Sequence, residues 1–203
     1  MNIVSLGHNC SIAAELKRLG VWNNKYAFDT MNSVCLEKVC DLLLGGEDWF
    51  KDYSIDSKPT RSKDWRIDCL RYKTISVHDV SFDLNKQEVI TNLIDKKQKD
   101  LQELKNVIKN NREHIILIRS NIKDTKKEEI VYLYETIIKL RGTNFSLYVF
   151  QNKDYSFDLK GLNYFKMKPP SWSNYEEIWQ RDDNWFRAIK SIVFNVEEKV
   201  KFL

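Results

Sequence analysis

The sequence has no apolar run near the roughly 20 residues that a membrane-spanning helix needs. Residues 1–5 lack the basic-then-apolar pattern of a secretion signal, and no long period indicates a coiled coil, a collagen or a repeat protein. With 203 residues, 42% of them hydrophobic and 12% aromatic, the chain is long and apolar enough for one packed core. We therefore expect a single soluble domain over residues 1–203, located in the cytoplasm.

The sequence also lacks a segregated charge. Its 33 Lys and Arg and 29 Asp and Glu give a net charge of +4, and the two signs are interleaved. Nucleic-acid binders more often carry a dedicated basic stripe, so we expect a small-molecule or glycan substrate instead. The local basic cluster between Lys58 and Arg71 is either a solvated surface or a site for an anion. The oligomeric state does not follow from these features.

Cysteine is scarce, and its spacing excludes the common zinc sites. The chain has four cysteines, with no Cys-x-x-Cys pair and no histidine at ligand spacing, so no metal is expected. Cys35, Cys40 and Cys69 stand among Val, Leu and Ile and are predicted to be small buried hydrophobic residues. Cys10 has different neighbours.

Apolar patterning predicts an α/β domain. Strands are expected at 3–7, 71–80, 114–120, 145–150 and 164–167, and helices at 12–19, 33–44, 89–108 and 125–142. Residues 49–66 are expected to be irregular, and a second capping box at 173–176 predicts a helical C-terminal segment. The alternation and the continuous apolar run at 114–120 favour a three-layer α/β sandwich with a mostly parallel, Rossmann-like central sheet.

In such sheets, ligands bind beyond the carboxyl ends of the strands. Gly7-His8-Asn9-Cys10 follows the first predicted strand, so Cys10 begins a helix whose free N–H groups favour a thiolate. The same N–H groups can bind an oxyanion, assisted by Asn9, while Gly7 allows a close backbone approach. Alternatively, Cys10 only fills space beneath the helix start.

A second polar segment, Arg119-Ser120-Asn121, follows the central strand. Arg119 is predicted either to hold an anionic part of the substrate or to form a surface ion pair. Asn121 is a further candidate for oxyanion binding.

A nucleophilic cysteine needs a base, and the chain has three histidines. His78 ends a predicted strand from which it could reach the same crevice, whereas a structural role stays open for it. His8 is close to Cys10 in sequence, but its side chain can point elsewhere after a tight turn, and His114 lies at the wrong end of its strand. The candidates for orienting the imidazole are Asp29, Asp79 and Asp83.

The segment from Ser5 to Cys10, followed by Phe28-Asp29, resembles the opening of the bacterial and viral family described as putative papain-like cysteine peptidases, formally a domain of unknown function. Further matches are His78-Asp79, Leu117-Ile118-Arg119 and Trp185-x-x-x-Ile189. The resemblance implies Cys10 as nucleophile and His78 as base. Ala27 and Thr30 replace the usual proline and tryptophan beside Asp29, and His8 replaces a small residue, so the aspartate of the triad is its least secure member.

The opening is also similar to that of capsular-polysaccharide enzymes regarded as acyltransferases, which implies coenzyme A as an acyl donor and a role in glycan metabolism. A wider likeness to the SGNH serine hydrolases implies an SGNH-hydrolase-like fold, with Asn121 as the helper amide. We therefore predict a cysteine hydrolase or acyltransferase that requires no cofactor.

Two alternatives remain open. One is a glycan- or nucleotide-binding module whose stacking platforms are drawn from Trp22, Trp49, Trp65, Trp172 and Trp185. The other is an interaction protein that retains the fold of an enzyme without its activity.

Overall fold

A computed structural model describes residues 2–8, 10–22, 25–33, 35–56, 64–76, 86–110, 112–121, 123, 125–168 and 183–194. In this part of the chain, the strands are β1 (Asn2–Ser5), β2 (Met31–Ser33), β3 (Tyr53–Ile55), β4 (Ile67–Cys69), β5 (Thr74–Ser76), β6 (Ile115–Asn121), β7 (Phe145–Gln151) and β8 (Leu162–Lys166). The helices are α1 (Ser11–Arg18), α2 (Leu36–Leu44), α3 (Lys86–Lys109), α4 (Lys127–Arg141) and α5 (Asp183–Phe194).

The central sheet is parallel, with strand order β1-β6-β7-β8. Strand β6 lies between β1 and β7 and is buried along its whole length, which confirms the interior position predicted from its apolar run. Ser5 pairs with Ile118, and Asn121 pairs with Gln151. The chain segments that follow β1, β6 and β7 therefore start from the same end of the sheet, at the carboxyl ends of these strands.

Helices cover both faces of this sheet, as predicted. On one face, Ile116 and Ile118 belong to a cluster with apolar residues of α1 and α5. On the other face, Ile115 and Leu117 belong to a larger cluster with residues of α2, α3 and α4. Because successive strand side chains point to opposite faces, an uninterrupted apolar strand supplies both cores.

A second, antiparallel sheet with strand order β2-β5-β4-β3 was not predicted. The expectation of irregular structure over 49–66 is wrong at Tyr53–Ile55, and the helix expected from 33 begins at Leu36 because Met31–Ser33 forms a strand. Strand β5 confirms a strand within 71–80. Strands of three residues carry too little alternation to be recognised in sequence, and pairing with distant segments decides their conformation.

The remaining elements differ from prediction only at their ends. The N–H of Lys126 donates to the Glu129 carboxylate at 2.9 Å, so the capping box of α4 spans 126–129, one residue later than the box predicted at 125–128. The backbone of Thr125 is instead held by the side chain of Gln151. Helix α5 confirms a helical C-terminal segment, whereas the box predicted at 173–176 lies outside the described residues.

Candidate active site

Cys10 is the N-cap residue of α1, which starts directly after the tight turn from β1. Gly7 and His8 both have left-handed backbones, with φ of +74° and +57°, and they turn the chain from the sheet into α1. The carbonyl of Cys10 accepts a hydrogen bond from the Ala14 N–H at 3.0 Å. The Cys10 thiol therefore stands at the end of α1 where backbone N–H groups point outward, an environment that stabilises a thiolate.

The burial of Cys10 differs in kind from that of the core cysteines. Cys10 is 9% exposed, and neither of the two apolar clusters formed by the described residues includes it. Cys40 and Cys69 belong to the larger cluster, as predicted, and burial raises the pKa of Cys40 to about 12. Cys35 is half-buried and immediately precedes α2. None of the four forms a disulfide.

Gly7 brings the β1 end into close contact with the segment that carries Asp29. A Cβ atom at Gly7 would lie 2.6 Å from Ser33 Oγ and 3.1 Å from Phe28 Cβ, so a side chain has no room there. The Ser33 N–H donates to the His8 carbonyl at 3.0 Å. The close backbone approach that Gly7 was predicted to allow is thus an approach of two segments of this chain.

The Asp29 carboxylate is buried and hydrogen-bonded within its own turn. Its Oδ2 accepts from the Tyr26 N–H at 2.8 Å and from Trp22 Nε1 at 3.1 Å, and the residue is 1% exposed. Burial raises the pKa of Asp29 to about 6, although these two hydrogen bonds and the charges of Lys25 and Lys97 oppose the rise. Asp29 is therefore mostly ionised at neutral pH.

Arg119 is fully buried and connects three segments. Its Nη1 donates to the Leu6 carbonyl at 2.7 Å and to Ser33 Oγ at 2.8 Å, and its Nη2 donates to the Ser33 carbonyl at 2.6 Å. Its Nε donates to Asn121 Oδ1 at 2.8 Å. The alternative of a surface ion pair is therefore wrong. Burial lowers the pKa of Arg119 to about 9, which leaves the guanidinium protonated at neutral pH.

Asn121 continues this buried network toward α4. Its Nδ2 donates to Gln151 Oε1 at 3.2 Å, and Asn121 is 1% exposed. Gln151 in turn accepts from the Thr125 N–H at 3.2 Å and donates to the Thr125 carbonyl at 2.8 Å. Gln151 was not predicted as a site residue, although it is a polar residue at the end of a buried strand, the same signal that pointed to Arg119 and Asn121.

His8 is close to Cys10 in sequence but is held neutral. Its side chain is 5% exposed, and burial, with smaller effects from the charges of Arg119 and Lys123, lowers its pKa to about 3. A general base must gain a proton during the reaction, and the buried environment of His8 disfavours its protonated form. His114 lies at the amino end of β6, hydrogen-bonded to Asn144 and Ser146, far along the strand from the site edge.

Comparison with known protein families matches residues 1–152 to the family described as putative papain-like cysteine peptidases (DUF1796). The chain belongs to this family. The match covers Cys10, Asp29 and His78, whereas the resemblance noted at Trp185 and Ile189 lies beyond it. No curated protein and no solved structure matches the chain significantly.

Four predicted site residues lie outside the described part of the chain: Asn9, His78, Asp79 and Asp83. The last described residue before His78 is Ser76, which pairs with Met31, two residues after Asp29. The structure thus brings together the turn before Cys10, the turn that contains Asp29, and the Arg119–Asn121 network.

The tryptophans offered as stacking platforms divide into two groups. Trp49 is 0% exposed and Trp185 is 1% exposed, so neither can stack on a ligand at the surface. Trp22 donates to Asp29, and Trp65 is half-buried, while Trp172 is not among the described residues. The binding-module interpretation is therefore wrong for Trp49 and Trp185.

The residues that the structure describes show neither a metal site nor a membrane-spanning helix. No group of three or more His, Cys, Asp or Glu in this part of the chain could hold a metal ion. None of the helices described above is long and apolar enough to span a bilayer. The predicted cytoplasmic location stays a prediction.

Proposed function

We propose that the protein is a cysteine hydrolase of peptidase type, in which the Cys10 thiolate attacks an acyl carbon. The observation that carries this proposal is the position of Cys10. The thiol lies at a helix N-terminus, beyond the carboxyl end of a parallel strand and outside both apolar clusters, in a chain whose family is described as a cysteine peptidase family.

His78 is the proposed base, with Asp29 as the group that orients it. His78 follows Ser76 by two positions in sequence, and Ser76 pairs with Met31, the first residue of β2. Asp29 lies two residues before Met31 and is mostly ionised at neutral pH. A carboxylate in this place can hold the imidazole and stabilise the imidazolium that forms when Cys10 gives up its proton. Asp79 is the alternative orienting group.

The N–H groups at the start of α1, with the side chain of Asn9, are the proposed oxyanion site. Asn121 is better suited to holding the site in place than to binding the oxyanion. Its Oδ1 already accepts a hydrogen bond from Arg119, and its Nδ2 already donates one to Gln151. Arg119 likewise uses hydrogen bonds from three of its nitrogens inside the protein, which favours a role in holding the β1 end over substrate binding.

A second version of this proposal is acyl transfer from coenzyme A to a glycan substrate. It rests on resemblance alone. It differs from hydrolysis only in the acceptor that resolves the acyl-enzyme. A parallel sheet with helices on both faces supports a Rossmann-like or SGNH-hydrolase-like arrangement equally.

The test is the alkylation rate of each cysteine with iodoacetamide at pH 7, measured by mass spectrometry. Cys10 should react at least about 10-fold faster than Cys35, since the proposed histidine base favours its thiolate. Cys35 is the matched control because it also precedes a helix and is more accessible. Comparing the alkylation rates of Cys10 and Cys35 therefore separates activation by a histidine from activation by a helix N-terminus alone.

Three further measurements sharpen this test. The His78→Ala variant should slow alkylation of Cys10 and leave that of Cys35 unchanged, and the reactivity of Cys10 should fall as pH drops below about 6, where Asp29 gains a proton. A burst of p-nitrophenol from p-nitrophenyl acetate should disappear in Cys10→Ser. Equal, slow alkylation of Cys10 and Cys35 would end the proposal.

A further inference from the structure

Helix α3 carries a lysine in the middle of its apolar face. The apolar side chains that α3 buries are Ile90, Leu93, Leu101, Leu104 and Ile108. Lys97 lies four residues after Leu93 and four before Leu101, on the same stripe, and is 0% exposed. A leucine or methionine would fill this position without desolvating a charge, so the lysine needs an explanation beyond packing.

The Lys97 ammonium reaches the turn that carries Asp29. Its Nζ donates to Thr30 Oγ1 at 3.1 Å, across 67 positions of sequence. Thr30 stands between Asp29 and the first residue of β2. The hydrogen bond therefore connects α3 to the point where the Asp29 turn leads into β2 of the antiparallel sheet.

Lys97 also supplies charge to Asp29. Among the described residues, the groups that act on the Asp29 carboxyl are the Tyr26 N–H, the Trp22 indole and the charges of Lys25 and Lys97. Lys25 has the larger effect of the two on Asp29, whereas Lys97 is the fully buried one, so that its charge acts through protein rather than through water. Opposite charges at such sites stabilise each other's ionised form.

We propose that Lys97 is a positioning residue of the candidate active site, which anchors the Tyr26–Thr30 turn to α3 and places a buried positive charge at the turn that carries Asp29. Its relevance to catalysis rests on the proposed function. Its effect on Asp29 does not, and the two can be tested separately.

The chain offers a matched control in Lys105. This lysine lies on the same helix, is 7% exposed, and donates to the Gly45 carbonyl, with Glu47 3.9 Å away. It is thus a second buried α3 lysine that serves a different turn. A general effect of removing a buried lysine would appear in both variants, whereas a specific effect on Asp29 would appear only at Lys97.

The experiment is a carbon-13 NMR titration of the Asp29 carboxyl in the full chain. In Lys97→Met, the pKa of Asp29 should rise above the wild-type value, because a positive charge at this turn is lost. Lys97→Gln, which keeps a donor for Thr30, should give a similar rise, and Lys105→Met should give none. An unchanged Asp29 titration in either Lys97 variant, or an equal rise in Lys105→Met, would overturn the proposal.

A reciprocal measurement does not require a Lys97 variant to fold. In Asp29→Asn, the pKa of the Lys97 ammonium, followed by nitrogen-15 NMR, should fall while that of Lys105 stays constant. No difference between the two lysines would refute the interaction. If wild-type Cys10 alkylates slowly while these titrations behave as expected, the cysteine hydrolase proposal fails and the role of Lys97 stands.

Discussion

The two sheets of this protein differ in how they are stabilised. The parallel sheet has two strands of seven residues, and β6 is buried over its full length between helices on both faces. The antiparallel sheet is built from strands of three residues each, which are too short to be stable alone. The first sheet carries the proposed nucleophile, whereas the second carries the segments that lead to Asp29 and toward His78.

This difference shows where the site depends on long-range contacts. The position of Cys10 depends only on β1, the tight turn after it and α1. The aspartate side is held to that frame by the hydrogen bonds of Arg119 to Ser33, of Ser33 to His8, and of Lys97 to Thr30. The relative position of the nucleophile side and the aspartate side should therefore be lost first when these connections are removed.

The largest effect is expected from Arg119→Met, which removes the main connection between the sheets. The change leaves buried carbonyls of Leu6 and Ser33 without their donor and should lower the free energy of unfolding by about 3–5 kcal/mol, measured by urea denaturation. It should also alter the alkylation rate of Cys10 in the native protein.

Arg141 is the control for Arg119, since it is also buried, at 4% exposure, and donates to the Val107 and Ile108 carbonyls at the end of α3. Arg141→Met should destabilise the fold and leave Cys10 alkylation in the native protein unchanged. Identical behaviour of the two variants at Cys10 would mean that Arg119 does not couple the sheets to the nucleophile.

A smaller effect is expected where the sheets touch at Gly7. Gly7→Ala should lower the free energy of unfolding by about 2–4 kcal/mol. The alanine would have to keep a left-handed backbone, and its Cβ would lie 2.6 Å from Ser33 Oγ. Gly20→Ala shares the positive φ, at +72°, but its Cβ would have nothing within 4 Å, so it should cost about 1 kcal/mol. Equal losses in urea denaturation would show that the contact with Ser33 contributes nothing.

The smallest net effect is the response of stability to acid, because two groups on the two sides of the site oppose each other. The pKa of Asp29 is raised to about 6, so its contribution is complete below about pH 4 and is lost as pH rises to 6, by about 3 kcal/mol. The pKa of His8 is lowered to about 3, so its contribution is present above about pH 6.5 and is lost as pH falls toward 3.

Single variants should separate these two slopes. Relative to wild type, Asp29→Asn should lose stability more steeply on acidification from pH 6.5 to 4. His8→Asn, which tolerates the left-handed backbone, should do the reverse. The measurement is the urea midpoint at several pH values. Parallel pH curves for all three proteins would contradict the burial-driven pKa values.

Much of the nucleophile side of the site could be predicted from sequence, because it is local. The turn from β1 into α1 follows from an apolar run, a glycine and a helical repeat within about 20 residues. The place of Cys10 at the start of α1 and the helices on both faces of the sheet were predicted in this way. The role of His78 stays a prediction.

The other half could be predicted less well, for identifiable reasons. Arg119 was assigned to substrate or surface because its sequence neighbours say nothing about Ser33, 86 positions away. Lys97 gave a readable signal, a charge within the apolar face of α3, but its partner Thr30 cannot be identified from that pattern. The antiparallel sheet was missed since each of its strands is too short to show a period.

The sequence by itself determined the parallel framework and the position of the cysteine at a strand-to-helix turn, because apolar periodicity and turn-forming residues act over a few neighbouring positions. Only the tertiary structure decided the second sheet, the burial of Arg119 and Lys97, and the raised pKa of Asp29. Those properties depend on which distant groups exclude water from one another, and desolvation is a property of the folded neighbourhood rather than of the chain.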